Sequence, residues 1–185
     1  KTPVPIDLYA NINRGLFATD RLPNDFAKAA YKAVSRGFKV IKCAPFDEAH
    51  PPATAAEVIP IVKLGLERVA AVRAAIGPQV RLLVDCHSRF EVHTAPLVAE
   101  ELAKLDVGWF EEPIEPGDDP DGLAQISKTV SMLVAGGESG YGEEFFADLL
   151  KRKAVAVVMP DTKFCGGVGE ASRIGRAAMS AGGRR

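Results

Sequence analysis

Apolar positions along the chain alternate between short β-branched runs and longer stretches with helical spacing. The short runs are mostly apolar, which is typical of strands buried on both faces. They predict six strands, at residues 6–10, 38–42, 80–84, 108–110, 132–135 and 155–159. The longer stretches carry apolar residues three and four positions apart. They predict six helices, at residues 25–36, 55–76, 95–105, 122–129, 143–151 and 168–179.

Six strands that each precede a helix indicate an α/β protein with a parallel sheet covered by helices. A closed barrel of eight such units takes about 250 residues, or about 31 per unit. The 185 residues therefore match about six units. Two architectures fit: an open doubly wound sheet, and part of a barrel whose other units lie outside this sequence. We expect the second, with 1–185 as one partial barrel domain, because the sequence stops where another strand should start.

Composition narrows the range of partners. The 23 Lys plus Arg residues balance 24 Asp plus Glu, so no broad basic field favours nucleic acid or an anionic membrane. No apolar run approaches the roughly 18 residues of a membrane span, and the first residues lack a signal-peptide core. The three cysteines are scattered, which argues against a disulfide framework. These features predict a cytoplasmic protein without nucleic-acid or membrane partners.

Three acidic residues directly follow successive predicted strands: Asp85, Glu111 and Glu138. Their spacings are 26 and 27 residues, close to one unit each. In a parallel barrel the carboxyl ends of the strands open on one face, so these carboxylates are expected side by side. Taken alone, each of these residues is more often a helix cap or a surface charge. Together they favour a hard divalent cation such as Mg²⁺, which relieves their repulsion.

Lys42 ends the second predicted strand, and Asp161 follows the sixth. We therefore expect both at the mouth of the barrel where the three acidic residues lie. Lys42 suits either of two roles: a fixed cation for a substrate carboxylate, or a partner of the acidic cluster. Asp161 suits the orientation of a histidine base, or merely the capping of a turn.

His87 lies two positions after Asp85. On an extended backbone, residues two apart point to the same side, so the imidazole is expected beside the proposed metal ligand. An imidazole in that place can donate a proton to a leaving group at neutral pH. A structural role is the alternative for this histidine.

Five motifs resemble the barrel domain of the enolase superfamily, and most closely its mandelate racemase and muconate lactonizing branch. They are Gly-Phe-Lys-Val-Ile-Lys at 37–42, Val-Asp-Cys-His at 84–87, Trp-Phe-Glu-Glu-Pro at 109–113, Gly-Gly-Glu-Ser at 136–139, and Met-Pro-Asp with Gly-Gly at 159–167. The resemblance implies a modified (β/α)₇β barrel. It also implies an N-terminal capping domain, which this sequence does not contain.

The resemblance assigns roles by position. It makes Asp85, Glu111 and Glu138 the Mg²⁺ ligands, and Glu112 the acid beside them in the second shell of the metal. Lys42 matches the first lysine of a Lys-x-Lys motif.

Two further positions qualify this match. The second lysine of the motif falls on Ala44, which argues against activities that use that lysine as a base. Asp161 matches the acid of a His-Asp dyad, and the histidine is expected beyond residue 185.

The Asp-x-His pattern at 85–87 resembles the acid-sugar dehydratases of the branch, in which this histidine expels the β-hydroxyl. The resemblance therefore implies a Mg²⁺-dependent hydro-lyase acting on a sugar acid, assembled as a homo-oligomer. A racemase or epimerase with the same metal site is one alternative. A non-catalytic binding or oligomerisation module is the other.

Overall fold

The computed structural model describes residues 6–182 and contains six β/α units in sequence. The strands are β1 (Ala10–Asn11), β2 (Val40–Cys43), β3 (Arg81–Asp85), β4 (Val107–Glu111), β5 (Leu133–Gly136) and β6 (Val157–Val158). The helices are α1 (Pro23–Ser35), α2 (Ala55–Ile76), α3 (Ala95–Ala103), α4 (Pro120–Thr129), α5 (Gly142–Arg152) and α6 (Val168–Ser180). A short 3₁₀ helix, Asn13–Leu16, follows β1.

The helix ends follow local chemistry. The longest helix, α2, begins where the Glu57 carboxylate accepts hydrogen bonds from the backbone N–H and the hydroxyl of Thr54. It ends at Gly77, whose φ of 71° favours glycine. Gly37 plays the same role after α1, with φ of 96°. Within residues 6–182, no helix combines the length and the apolar character needed to cross a membrane.

The sheet confirms the barrel-type interpretation. All neighbouring strands are parallel, and their order in space is the order in the chain, from β1 to β6. A doubly wound sheet would reverse its strand order at a switch point, and this one does not. The prediction of a doubly wound sheet as the second architecture is therefore wrong.

The two strands at the ends of the sheet are shorter than predicted. We predicted β1 over 6–10, but it covers only Ala10–Asn11, and β6, predicted over 155–159, covers Val157–Val158. Each of these strands pairs with a single neighbour in the sheet, so fewer residues gain ladder hydrogen bonds. The β-branched pattern also reports burial as much as pairing, which explains the overlong predictions.

Alternate residues of the strands enter two different environments. Residues such as Leu82, Val84 and Phe110 join the large apolar core between the sheet and the helices. Their chain neighbours Leu83 and Trp109 form a smaller cluster on the opposite, inner face. The period of two along each strand thus separates the core from the inner face, on which the carboxyl ends of the strands carry polar groups.

Candidate metal centre and active site

The three acidic residues predicted from the strand ends do converge. Asp85 and Glu111 are the last residues of β3 and β4, and they are paired in register. Glu138 follows β5 after a glycine with φ of 101°. One carboxylate oxygen from each of the three side chains lies within 4.8 Å of the others. Asp85 and Glu111 are buried and Glu138 is partly exposed, so the cluster opens on one side.

Lys42 lies against this cluster from β2. Its ammonium is 2.5 Å from Glu111 Oε1 and 3.2 Å from Asp85 Oδ2, and the residue is almost fully buried. Of the two roles left open for Lys42, pairing with the acidic cluster is therefore present in the structure. Burial alone would lower the pKa of Lys42, but Glu111 and Asp85 outweigh it and raise the pKa above its ordinary value.

The two buried carboxyls respond in opposite directions. Burial, followed by the charge of Asp85, raises the pKa of Glu111 to about 8 against the opposing effect of Lys42. Burial also acts against ionisation of Asp85, but hydrogen bonding to His87 and the charge of Lys42 prevail, and the pKa of Asp85 is lowered. Burial and the neighbouring charge of Asp85 thus favour the protonated form of Glu111.

The donor set fits a hard divalent cation. Glu111 Oε2 is buried and accepts no hydrogen bond from any residue between 6 and 182. An unpartnered buried carboxylate oxygen is costly, and a metal ion would satisfy it. Three carboxylates with no sulfur or imidazole in the group are oxygen ligands of the kind that Mg²⁺ prefers.

His87 reaches the cluster by a route that the sequence did not reveal. We predicted an extended backbone, but His87 and Ser88 both have left-handed conformations, with φ of 49° and 56°. The imidazole Nε2 nevertheless lies 3.2 Å from Asp85 Oδ2, because the His87 N–H donates to Asp85 Oδ1 and fixes the turn. The hydrogen bond to Asp85 raises the pKa of His87. The side chain is about half exposed, at 52%.

Glu112 lies beside the cluster and points into the next loop. Its carboxylate accepts hydrogen bonds from the backbone N–H groups of Gly137 and Glu138, at 2.9 and 2.8 Å. These bonds fix the turn that carries the third acidic ligand candidate. Burial raises the pKa of Glu112, although the two backbone donors oppose it.

Asp161 lies at the same mouth. It lines a cavity of about 420 Å³ that Lys42, Asp85, His87 and Glu138 also line. One carboxylate oxygen of Asp161 accepts the backbone N–H of Lys163, so the turn-capping role left open for this residue is present. Its proposed role in orienting a histidine stays a prediction.

Sequence reasoning missed three residues of this cavity: Tyr9, Asn11 and Trp109. Tyr9 directly precedes β1, and Asn11, two positions later, is its last residue. Trp109 lies on β4, two positions before Glu111. The period of two along the strands was the available signal, because residues two apart share a face of the sheet.

Ala44, where the resemblance expects a second lysine, is held in place through its backbone. Its N–H donates to Asn13 Oδ1 at 2.8 Å, and its carbonyl accepts from the Arg21 guanidinium at 2.8 Å. The loop after β2 is therefore fixed, and this position supplies no titratable group to the cavity.

Comparison with known families matches most of the chain to one profile. The family described as "Enolase C-terminal domain-like" matches residues 25–184. A solved structure described as a member of the enolase superfamily from Salmonella Typhimurium superposes with a TM-score of 0.84 at 26% identity. That match covers 96% of this chain and 48% of the solved chain.

Two curated relatives carry enzyme names. D-galactarolactone cycloisomerase from Agrobacterium fabrum is 35% identical over 113 residues, which are 61% of this chain and 30% of that protein. D-gluconate dehydratase from Thermoproteus tenax is 30% identical over 163 residues, which are 88% of this chain and 31% of that protein. The chain thus spans about a third of the length of these relatives.

Proposed function

Because the chain belongs to the enolase C-terminal domain-like family, we propose that it forms the catalytic core of a Mg²⁺-dependent dehydratase of a sugar acid. One observation carries the proposal. Carboxylates from β3, β4 and the loop after β5 converge beside a buried ammonium and a half-exposed imidazole, at one cavity. Such an arrangement suits a carboxylate substrate with a proton donor next to it.

Asp85, Glu111 and Glu138 are the proposed metal ligands. The cation they hold would act as a Lewis acid on the substrate carboxylate and make its α-proton more acidic. Lys42 provides the second positive charge. Its ammonium stabilises the enediolate that develops when a base removes the α-proton.

His87 is the proposed general acid. The hydrogen bond that the imidazole donates to Asp85 raises the pKa of His87, which favours the protonated form that a general acid needs. His87 gives that proton to the β-hydroxyl as the C–O bond breaks, so the leaving group departs as water. The enol that results tautomerises to a 2-keto-3-deoxy acid. Asp161 would orient the histidine that takes the α-proton.

The substrate class rests on the names of relatives. D-gluconate dehydratase and, at 31% identity over 113 residues, arabinonate dehydratase from Saccharolobus solfataricus are both named for water loss from a sugar acid. His87 provides the chemical reason to extend that class to this chain, since water loss needs an acid beside the β-hydroxyl.

An isomerase is the second candidate, because some of the relatives are named as cycloisomerases. A racemase needs bases on both faces of the α-carbon, and Ala44 leaves one position without a base. A non-catalytic module is the third candidate. A cytoplasmic location and a homo-oligomeric state stay predictions.

The test is an assay of the purified full-length enzyme against a panel of sugar acids, with Mg²⁺ and with a chelator. The proposal expects Mg²⁺-dependent loss of water from at least one acid, detected by product mass. A product of unchanged mass but altered stereochemistry would support the isomerase. Absence of both turnover and metal binding would support the non-catalytic module.

A further inference from the structure

Among residues 6–182, the Lys42 ammonium contacts three groups, and they differ in kind. Glu111 and Asp85 are ion-pair partners, at 2.5 and 3.2 Å. The third is the ring of Tyr9, whose centroid lies 5.2 Å from Lys42 Nζ. A divalent cation bound to Glu111 and Asp85 competes with the ammonium for both carboxylates. The ring of Tyr9 carries no net charge and is not a metal ligand, so it stays available to the ammonium.

The ring of Tyr9 is itself held in place. It packs edge-on against Trp109, with ring centroids 6.0 Å apart and an interplanar angle of 78°. Trp109 belongs to the buried cluster on the inner face of the sheet and is rigidly placed by β4. Tyr9 stays 38% exposed and lines the same cavity as Lys42, Asp85 and His87. The structure thus places a fixed aromatic face between the inner core and the cavity.

A fixed aromatic face can orient a lysine. The ammonium is a strongly hydrated point charge on a flexible four-carbon stem, so its direction depends on its contacts. The negative face of an aromatic ring attracts a cation within about 6 Å, and the attraction strengthens where water is excluded. Lys42 is 3% exposed, so its contact with Tyr9 lies in such a place.

We propose that Tyr9 is a positioning residue, whose aromatic face keeps the Lys42 ammonium directed at the substrate carboxylate. Tyr9 would take over this task when a bound metal engages Asp85 and Glu111, the ion-pair partners of Lys42. This inference rests on the proposed function for the role of Lys42. It concerns the ring and not the phenol hydroxyl, for which the structure gives no hydrogen bond among residues 6–182.

The sharpest test varies the ring without changing its size. Tyr9→Phe keeps the aromatic face, and replacement of Tyr9 by mono-, di- and trifluorophenylalanine weakens that face stepwise. In the Mg²⁺-loaded full-length enzyme, we expect Tyr9→Phe to stay within about threefold of the parent in kcat/KM. We expect the trifluoro variant to lose about tenfold relative to Tyr9→Phe, equivalent to about 1.4 kcal/mol. The affinity for Mn²⁺ should change less than about twofold across the series.

A second measurement does not depend on activity. In protein labelled with ¹³C at the lysine ε-carbon, the ring of Tyr9 should shift the Lys42 signal upfield, with Mg²⁺ present. The Lys42→Arg variant assigns this signal. The shift should persist in Tyr9→Phe and disappear in Tyr9→Leu.

Either of two results would overturn the proposal. One is a kcat/KM that does not follow fluorination, and the other is a Lys42 signal that is the same in Tyr9→Leu and the parent. Should the ring shift be present and no sugar acid be dehydrated, the proposed function fails while the contact that fixes Lys42 stands.

Discussion

The two faces of the sheet bury different kinds of side chain. On the helix side, Val84 and Phe110 are fully buried among apolar side chains and contribute to stability through burial. On the inner side, their chain neighbours Asp85 and Glu111 are also buried, but as ionisable groups in contact with Lys42. Buried ionisable groups lose their hydration, and their pairing offsets only part of that cost, so we expect Asp85 and Glu111 to add less to stability than Val84 and Phe110. Substitutions at neighbouring residues of one strand should therefore have different effects, on stability at one position and on metal binding at the next.

Glu111→Gln gives the largest expected effect, on the inner face. The change removes one charge of the proposed metal site while keeping the size of the side chain. We expect turnover to fall on the order of 10³-fold, with Mg²⁺ affinity falling as well. Steady-state kinetics and calorimetric titration measure the two losses. Without metal the variant should stay folded, because Asp85 remains as an ion-pair partner of Lys42. Unchanged metal affinity would remove Glu111 from the ligand set.

Phe110→Ala, one residue earlier in the chain, should show the opposite pattern. Removing a fully buried aromatic side chain leaves a cavity and costs about 3 kcal/mol of unfolding free energy. Denaturant unfolding measures this loss. At a temperature where the variant is folded, its affinity for Mg²⁺ should stay within about threefold of the parent. A large loss of metal affinity with little loss of stability would contradict the division between the two faces.

His87→Asn should separate two steps of the proposed reaction. Without the acid, loss of the β-hydroxyl should slow about 10²-fold, a typical contribution of general acid catalysis. Exchange of the α-hydrogen in deuterated water should continue, because His87 does not take that proton. Mass spectrometry of recovered substrate and product measures both rates. Equal loss of both steps in a folded, metal-binding variant would argue against an acid role confined to the leaving group.

The smallest expected effect is the change of stability with pH. Its direction should reverse when the metal is bound. The pKa of Glu111 is raised to about 8, above its unfolded value of 4.5. A raised pKa gives stability that is complete below the unfolded value and is lost as pH rises through the folded value. Between about pH 7 and about pH 9 the metal-free protein should therefore lose on the order of 1 kcal/mol. Thermal unfolding across this range measures the loss.

With Mg²⁺ in excess, the trend should reverse. The metal needs the deprotonated carboxylate, so its affinity and the stabilisation it gives should rise with pH up to about 8. The Glu111→Gln variant is the control, since it lacks the titrating group. A metal-free stability that rises with pH over this range would contradict the placement of Glu111 beside Asp85.

Much of the fold followed from the apolar pattern alone. Helix α2 has the bounds predicted for it, 55–76, because its capping residues are local signals. The ends of β1 and β6 were wrong because strand length depends on partners distant in the chain. The convergence of Asp85, Glu111 and Glu138 was predictable because parallel strands end on one side of a sheet.

Other parts of the site depend on contacts that a linear sequence does not display. The left-handed backbone of His87 and Ser88 arises from hydrogen bonds to Asp85 and to the Glu112 carbonyl. The contact between Tyr9 and Lys42 joins the residue that precedes β1 to a residue of β2. Such contacts follow from three-dimensional packing, so no local pattern reports them.

The central claim is that Asp85, Glu111 and Glu138 hold one divalent cation. The most direct measurement is an anomalous difference map from crystals of the protein grown with Mn²⁺. The account predicts one peak among these three carboxylates, with Lys42 no longer paired to both Asp85 and Glu111. A map without a peak at this cluster, with Mn²⁺ bound elsewhere or not at all, would contradict it.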